Sequence, residues 1–174
     1  MFRVKDEVVY PGHGVAVIEE AVTRFFGAEE TIFFKLSFKY KNMSILVPRE
    51  RLEKCGVRFI SKREDVEEAL RELEFELSDE EEWKELAPLG WSKRQRGYQT
   101  RLDTGDLKEI ARTYRILKRR AAQENLSFGE KGILLAAEDL LSQEVMEVTK
   151  MDFAEVVAKL RKPFEREKGK VETL

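Results

Sequence analysis

The stretch Pro88-Leu89-Gly90-Trp91-Ser92-Lys93-Arg94-Gln95-Arg96 places a large aromatic after a Pro/Gly break, with three cations directly behind it. Against nucleic acid this arrangement has a use, because cations hold phosphates while a flat ring meets bases. Residue chemistry alone leaves a second reading of Trp91 slightly ahead, in which the ring packs between its own helix and the neighbouring ones. Trp83, flanked by acidic residues, is the better candidate for a purely structural tryptophan. Reactive chemistry is hard to find elsewhere. The sequence has no GxxxxGK[ST] or GxGxxG loop, no HExxH and no CxxC pair. His13 is the single histidine and falls in a turn, and Cys55 is the single cysteine, so both read as structural and a metal site would lack ligands. Carboxylates are plentiful but lie along acidic helices with no reason to converge. These features point to an interaction protein rather than an enzyme, with no cofactor and no metal.

The formal net charge of −2 hides a split. Residues 64–85 carry twelve Asp/Glu against two Lys/Arg, and residues 91–120 carry ten Lys/Arg against three Asp/Glu. Local field governs encounter with a polyanion, so the basic half could face one. Equally, both halves could be solvated helix faces. The 174 residues, 42% hydrophobic and 38% charged, suffice for one domain or two small ones with a real core. No apolar run approaches the roughly 20 residues that span a bilayer. The opening MFRVKDEVVY runs into a strand pattern without a signal-peptide core, and one cysteine suits a reducing cytoplasm.

The elements that must position these residues fall into two groups. Up to residue 61 the chain reads as five short strands. Glu7–Tyr10 and Val15–Ile18 flank the turn Pro11-Gly12-His13-Gly14, Thr31–Phe38 follows a turn at Gly27, Met43–Val47 stops at Pro48, and Val57–Ile60 closes the set. Beyond residue 61 helical periodicity takes over. Ser61-Lys62-Arg63-Glu64, Ser78-Asp79-Glu80-Glu81 and Ser127-Phe128-Gly129-Glu130 each read as capping boxes. Val66, Leu70, Leu73 and Leu77 form one apolar stripe; Leu107, Ile110, Ala111, Tyr114 and Leu117 form another, with Lys108, Arg112, Arg115, Lys118 and Arg119 placed on the surface. A helix is expected from about Trp91, one over Ile133–Leu141, and a last one from Thr149 to Lys162 that Pro163 stops, leaving 163–174 frayed. The fold class is α+β: a small five-stranded antiparallel Tudor/SH3-like β module over 1–61, then an all-α helical bundle domain over 62–162.

Several phrases, in order, resemble the CarD/CdnL family of bacterial transcription regulators. Phe2-Arg3-Val4-Lys5-Asp6-Glu7-Val8-Val9-Tyr10-Pro11-Gly12-His13-Gly14-Val15 resembles the family's opening, and Met43-Ser44-Ile45-Leu46-Val47-Pro48 and Gly56-Val57-Arg58 continue it. Trp91-Ser92-Lys93-Arg94, Leu102 through Thr104-Gly105-Asp106, and Asn125-Leu126-Ser127-Phe128-Gly129-Glu130-Lys131 resemble its C-terminal domain. The likeness covers about residues 1–148, and residues after about 150 lie outside it. It implies an N-terminal Tudor-like domain that binds the RNA polymerase β subunit, partly by strand pairing. It also implies a helical domain that holds promoter DNA at the upstream bubble edge, where a tryptophan wedged in the minor groove supports the open complex. By that resemblance the wedge is Trp91, the neighbouring DNA-binding cations are Lys93, Arg94 and Arg96, and the polymerase-binding positions are Arg24 and Leu46. An arginine stands at the last position in some members, so Leu46 can make only an apolar contact. The implied setting is a cytoplasmic, nucleoid-associated bacterial protein, with nothing demanding more than a monomer. The competing expectation is a protein–protein adaptor whose bundle takes an acidic partner in place of DNA.

Overall fold

A computed structural model describes residues 1–75, 89–123 and 125–171. Strands β1 (Glu7–Tyr10), β2 (Gly14–Phe26), β3 (Glu29–Phe38), β4 (Ser44–Pro48) and β5 (Arg58–Phe59) form one antiparallel sheet in the order β4-β3-β2-β1-β5. Alternation along β3 puts Phe34, Leu36 and Phe38 on the inner face, where they pack with Val8, Ala16, Ile18, Val47, Leu52 and Val57. The second strand is longer than its sequence pattern suggests. It runs on to Phe26, past the bulge between Ile18 and Glu20, and pairs with β3 up to the Gly27 turn. The end of this hairpin extends beyond β4, which pairs only with Phe33–Ser37, so Phe25 and Phe26 stand exposed.

The helical part comprises α1 (Arg63–Glu72), α2 (Trp91–Asp103), α3 (Leu107–Gln123), α4 (Phe128–Thr149) and α5 (Phe153–Val171) among the described residues. Its core joins Val66, Leu73, Tyr98, Leu102, Tyr114, Leu117, Ile133, Leu141, Val156 and Leu160. Leu77, the expected box at Ser78–Glu81, and Trp83 lie outside the described residues. Asp106 accepts from the backbone N–H groups of Lys108 and Glu109 at 2.8 and 3.0 Å, which starts α3 where the Thr-Gly-Asp reset places it. Ser127 and Glu130 form the expected reciprocal box at the head of α4.

Three helix ends differ from the sequence reading. The box that opens α1 sits one residue later: Lys62 is the N-cap, and its N–H donates to Asp65 at 3.0 Å. Ser61 is taken instead by the joint with the bundle, its N–H donating to Glu144 at 2.8 Å. Thr149 ends α4 rather than opening the last helix; Lys150 adopts a left-handed φ of 60°, and Asp152 caps Glu155 at 2.9 Å. Pro163 does not stop α5. A proline there removes one backbone bond, but Phe164 is buried edge-on against Tyr114 with centroids 5.8 Å apart, and that packing carries the helix on.

The two parts meet through the Pro11–Gly14 turn. Gly105 and Gly56 both lie so close to Pro11 that an added Cβ would stand 3.0 Å from its ring. Val15 N–H donates to the buried Gln143 Oε1 at 3.0 Å. Arg58 crosses from β5 with its Nη1 and Nη2 on the two oxygens of Glu144, at 2.6 and 2.8 Å, and also donates to the Gly105 carbonyl. Glu147 accepts from Tyr40 at 2.6 Å and pairs with Lys39.

Candidate nucleic-acid and partner interfaces

Part of the charge split seen along the chain is paired inside the bundle. Acidic α1 lies against basic α3, and their side chains pair across the contact. Glu68 takes Lys108 at 2.6 Å, and Glu72 takes Arg112 at 3.1 Å and Arg115 at 2.8 Å. Arg115, expected on the surface, is fully buried, with Nη1 also on the Glu72 carbonyl at 2.6 Å. Burial works against ionisation of Glu72, but the two guanidinium hydrogen bonds outweigh it and hold the carboxyl below its usual range. Arg119 reaches the Phe75 carbonyl, Arg101 pairs with Glu109, and Arg120 pairs with Glu130 at 2.7 Å. Among the described residues, then, part of the basic stretch is paired inside the fold, with Glu68 and Glu72 of the acidic stretch and with Glu109 and Glu130.

Against that background the cations at the head of α2 stand out. Trp91 is the first residue of the helix, after the N-cap Gly90; its side chain lies outside what the structure describes. Lys93 and Arg96 are exposed, and the side chain of neither makes an ion pair with a described residue. Arg94 is turned the other way. Its Nη1 donates to the Leu89 carbonyl at 2.7 Å and its Nε stands 3.7 Å from Glu130, so its guanidinium is committed to the fold rather than offered to solvent. Lys93 and Arg96 thus share one exposed turn of helix, and Arg94 braces it from behind. Sequence reasoning did not anticipate Glu130 as that brace, although its place in the Asn125–Lys131 phrase was in view.

Arg24 and Leu46 lie on the same, outer face of the sheet. The register pairs Arg24 with Thr31, Val22 with Phe33, Lys35 with Leu46 and Phe33 with Pro48, which puts all of these on one side. Arg24 is exposed and lies over the Phe33 ring at 5.9 Å, and Leu46 is exposed on β4, the terminal strand of the sheet. The result is a cation on an aromatic platform beside an open strand edge, a surface able to take a partner's strand. His13 has its Nδ1 at 3.1 Å from the Pro11 carbonyl and packs edge-on against Tyr10; Cys55 is half-buried and free. No group of three or more His, Cys, Asp or Glu able to hold a metal occurs among the described residues, and no described helix is long and apolar enough to cross a membrane.

The fold is thus a five-stranded antiparallel β module joined through its Pro11–Gly14 turn to a helical domain. Two family models match this chain: the CarD-like/TRCF RID domain over residues 2–61 and the CarD C-terminal domain over residues 76–161. The protein belongs to the CarD family of transcription regulators. The second match extends past residue 150, where the sequence phrases alone gave no likeness, and takes in the first part of α5. The chain is also similar to YdeB of Bacillus subtilis (strain 168), named as a candidate transcription factor. The two are 26% identical over 145 residues, covering 83% of this chain and 90% of that protein.

Proposed function

We propose that the protein binds the RNA polymerase β subunit through its 1–61 module and stabilises the promoter open complex through its helical domain. The outer sheet face with Arg24 and Leu46, together with the β4 edge, is the polymerase-binding surface. The head of α2 is the DNA-binding surface, with Trp91 as a minor-groove wedge at the upstream bubble edge. Unstacking a base step costs about a few kcal/mol, and at a bubble edge part of that cost is already met by melting. The wedge therefore gains contact only in the open state, and that differential affinity shifts closed complex toward open complex. Lys93 and Arg96 add sequence-independent phosphate contacts. Isolated DNA binding is weak for a chain of net charge −2, and attachment to polymerase supplies the effective concentration.

The observation that carries this reading is the division of cations. The fold commits most of the basic region to internal pairs and leaves Lys93 and Arg96 exposed within one and a half turns of Trp91. The test is the dissociation half-life of open complexes formed with wild type and Trp91→Ala. The wild type prolongs it and Trp91→Ala does not, while polymerase retention is equal for both. An equal half-life for the two proteins overturns the wedge. Retention of polymerase is tested separately with Arg24→Glu, which should lose it.

A further inference from the structure

The local signals that usually start a helix are missing at the head of α2. The N-cap is Gly90, whose position makes no side-chain capping bond, and no acidic residue stands in the first turn. Of residues 92–97 none is buried; among the described side chains of the helix the first buried apolar one is Tyr98, about 10 Å from the helix start at the helical rise. What fixes the head of the helix is tertiary. The Arg94 guanidinium donates from Nη1 to the Leu89 carbonyl at 2.7 Å, two residues before Trp91, while its buried Nε makes no hydrogen bond and is held electrostatically, 3.7 Å from the Glu130 carboxylate. Glu130 is 2% exposed and belongs to the first turn of α4. Its Oε1 accepts from Arg120 of α3 at 2.7 Å, and its Oε2 accepts from the Ser127 hydroxyl at 2.7 Å and the Ser127 N–H at 3.0 Å. Beside it, Gly129 leaves room for Gln95, whose amide would stand 2.7 Å from any added Cβ.

We infer that Glu130, acting through Arg94, is the positioning residue for the head of α2, and so for the backbone of Trp91 at its start. Arg94 then serves DNA binding through Trp91 and not as a phosphate anchor. This rests on the wedge reading only for its effect on open complexes. The fork geometry is what matters: a guanidinium can reach Leu89 and Glu130 together, and an ammonium of equal charge is not shaped to hold both. A phosphate anchor, by contrast, tolerates lysine.

The experiment uses the full chain with Arg94→Lys and, as a second variant of conserved shape, Glu130→Gln. Amide hydrogen exchange is read first. Both variants should speed exchange at residues 91–96 by about tenfold or more, while the amides of 140–147 in α4 keep their protection. Unchanged exchange at 91–96 overturns the inference, whatever the promoter data show. Open-complex half-life is read second, in wild-type and Trp91→Ala backgrounds. Arg94→Lys should shorten it about threefold or more in the first and leave it unchanged in the second, because residues acting through one another are not additive. Where Trp91→Ala itself shortens the half-life, a full half-life with Arg94→Lys, or the same loss in both backgrounds, overturns the inference. Fast exchange at 91–96 combined with no effect of Trp91→Ala itself keeps the positioning role and removes the wedge reading instead.

Discussion

Lys93, Arg94 and Arg96 are three cations within four residues, and the fold gives them different work. Lys93 and Arg96 face solvent, so each should act as a phosphate charge. Lys93→Ala and Arg96→Ala should each lower the slope of log affinity against log salt by about 1 in polymerase–promoter retention, whatever the promoter sequence. An unchanged slope would favour an acidic protein partner for the bundle. Glycines divide by environment in the same way. Gly14 has φ +100° and an added Cβ would lie 2.0 Å from the buried Gln143 Oε1, which could move away only by giving up its hydrogen bond from the Val15 N–H. Gly14→Ala should cost about 3 kcal/mol in chemical denaturation, by overpacking and backbone strain together. At the hairpin turn, Gly27 has φ +65° but nothing within 4 Å, so Gly27→Ala should cost only about 1 kcal/mol.

Among the elements, the α1/α3 contact holds the most concentrated electrostatics. Arg115 is fully buried on Glu72, and Arg112 shares the same carboxylate. Arg115→Met should destabilise by about 3 kcal/mol, since it leaves Glu72 with one partner in place of two. Arg63 pairs with Glu67 across one helical turn in full solvent, and Arg63→Ala should change stability by no more than about 0.5 kcal/mol. Equilibrium unfolding of both variants checks the contrast; similar losses would mean that the buried pair is no better placed than the exposed one. At the head of α4, Ser127 both caps the helix and holds Glu130. Ser127→Ala should therefore cost about 1 kcal/mol as a cap and also loosen α2.

For the whole molecule, the joint between module and bundle is polar and built on carboxylates from α4. Glu147 is depressed below the usual carboxylate range: burial opposes ionisation, but hydrogen bonds from Lys39 and Tyr40 outweigh it. Within the bundle Glu72, Glu130 and Glu138 behave alike, each buried and each held by arginine. A carboxyl with a lowered folded-state pKa adds stability that is complete above its unfolded pKa of about 4.3 and is lost as pH falls through the folded value. Melting temperature should hold on the neutral side and drop steadily below about pH 4.5, with the domain contact failing alongside the bundle. The alkaline arm has its own cause. Burial, with the Glu147 hydrogen bond, pushes the Tyr40 phenol up to about 12, so stability from it is present below pH 10 and lost as pH rises toward that value. Calorimetric scans from pH 3 to pH 11 read both arms, and a melting temperature indifferent to acid would contradict the paired-carboxylate account.

Local rules sufficed for much of this chain. Alternation in Thr31–Phe38, the Pro-Gly turn after Tyr10, the Thr-Gly-Asp reset and the Ser127 box are readable because strand period, turn chemistry and caps act within a few residues. The positions resembling the family were likewise visible as phrases. Tertiary structure decided where the charges went. No local rule says that Arg115 is buried while Arg96 faces water, because both sit in cationic helical stretches; Glu72, some forty residues away, settles it. Pro163 looked like a stop because its local cost is plain, whereas the compensating Tyr114–Phe164 contact is non-local. Trp91 and its cations could be picked out from the sequence, but the assignment of Arg94 as brace and of Lys93 and Arg96 as the exposed pair required Glu130 to be brought from α4. Charge along a chain is fixed by the sequence, and its counterion is chosen by folding.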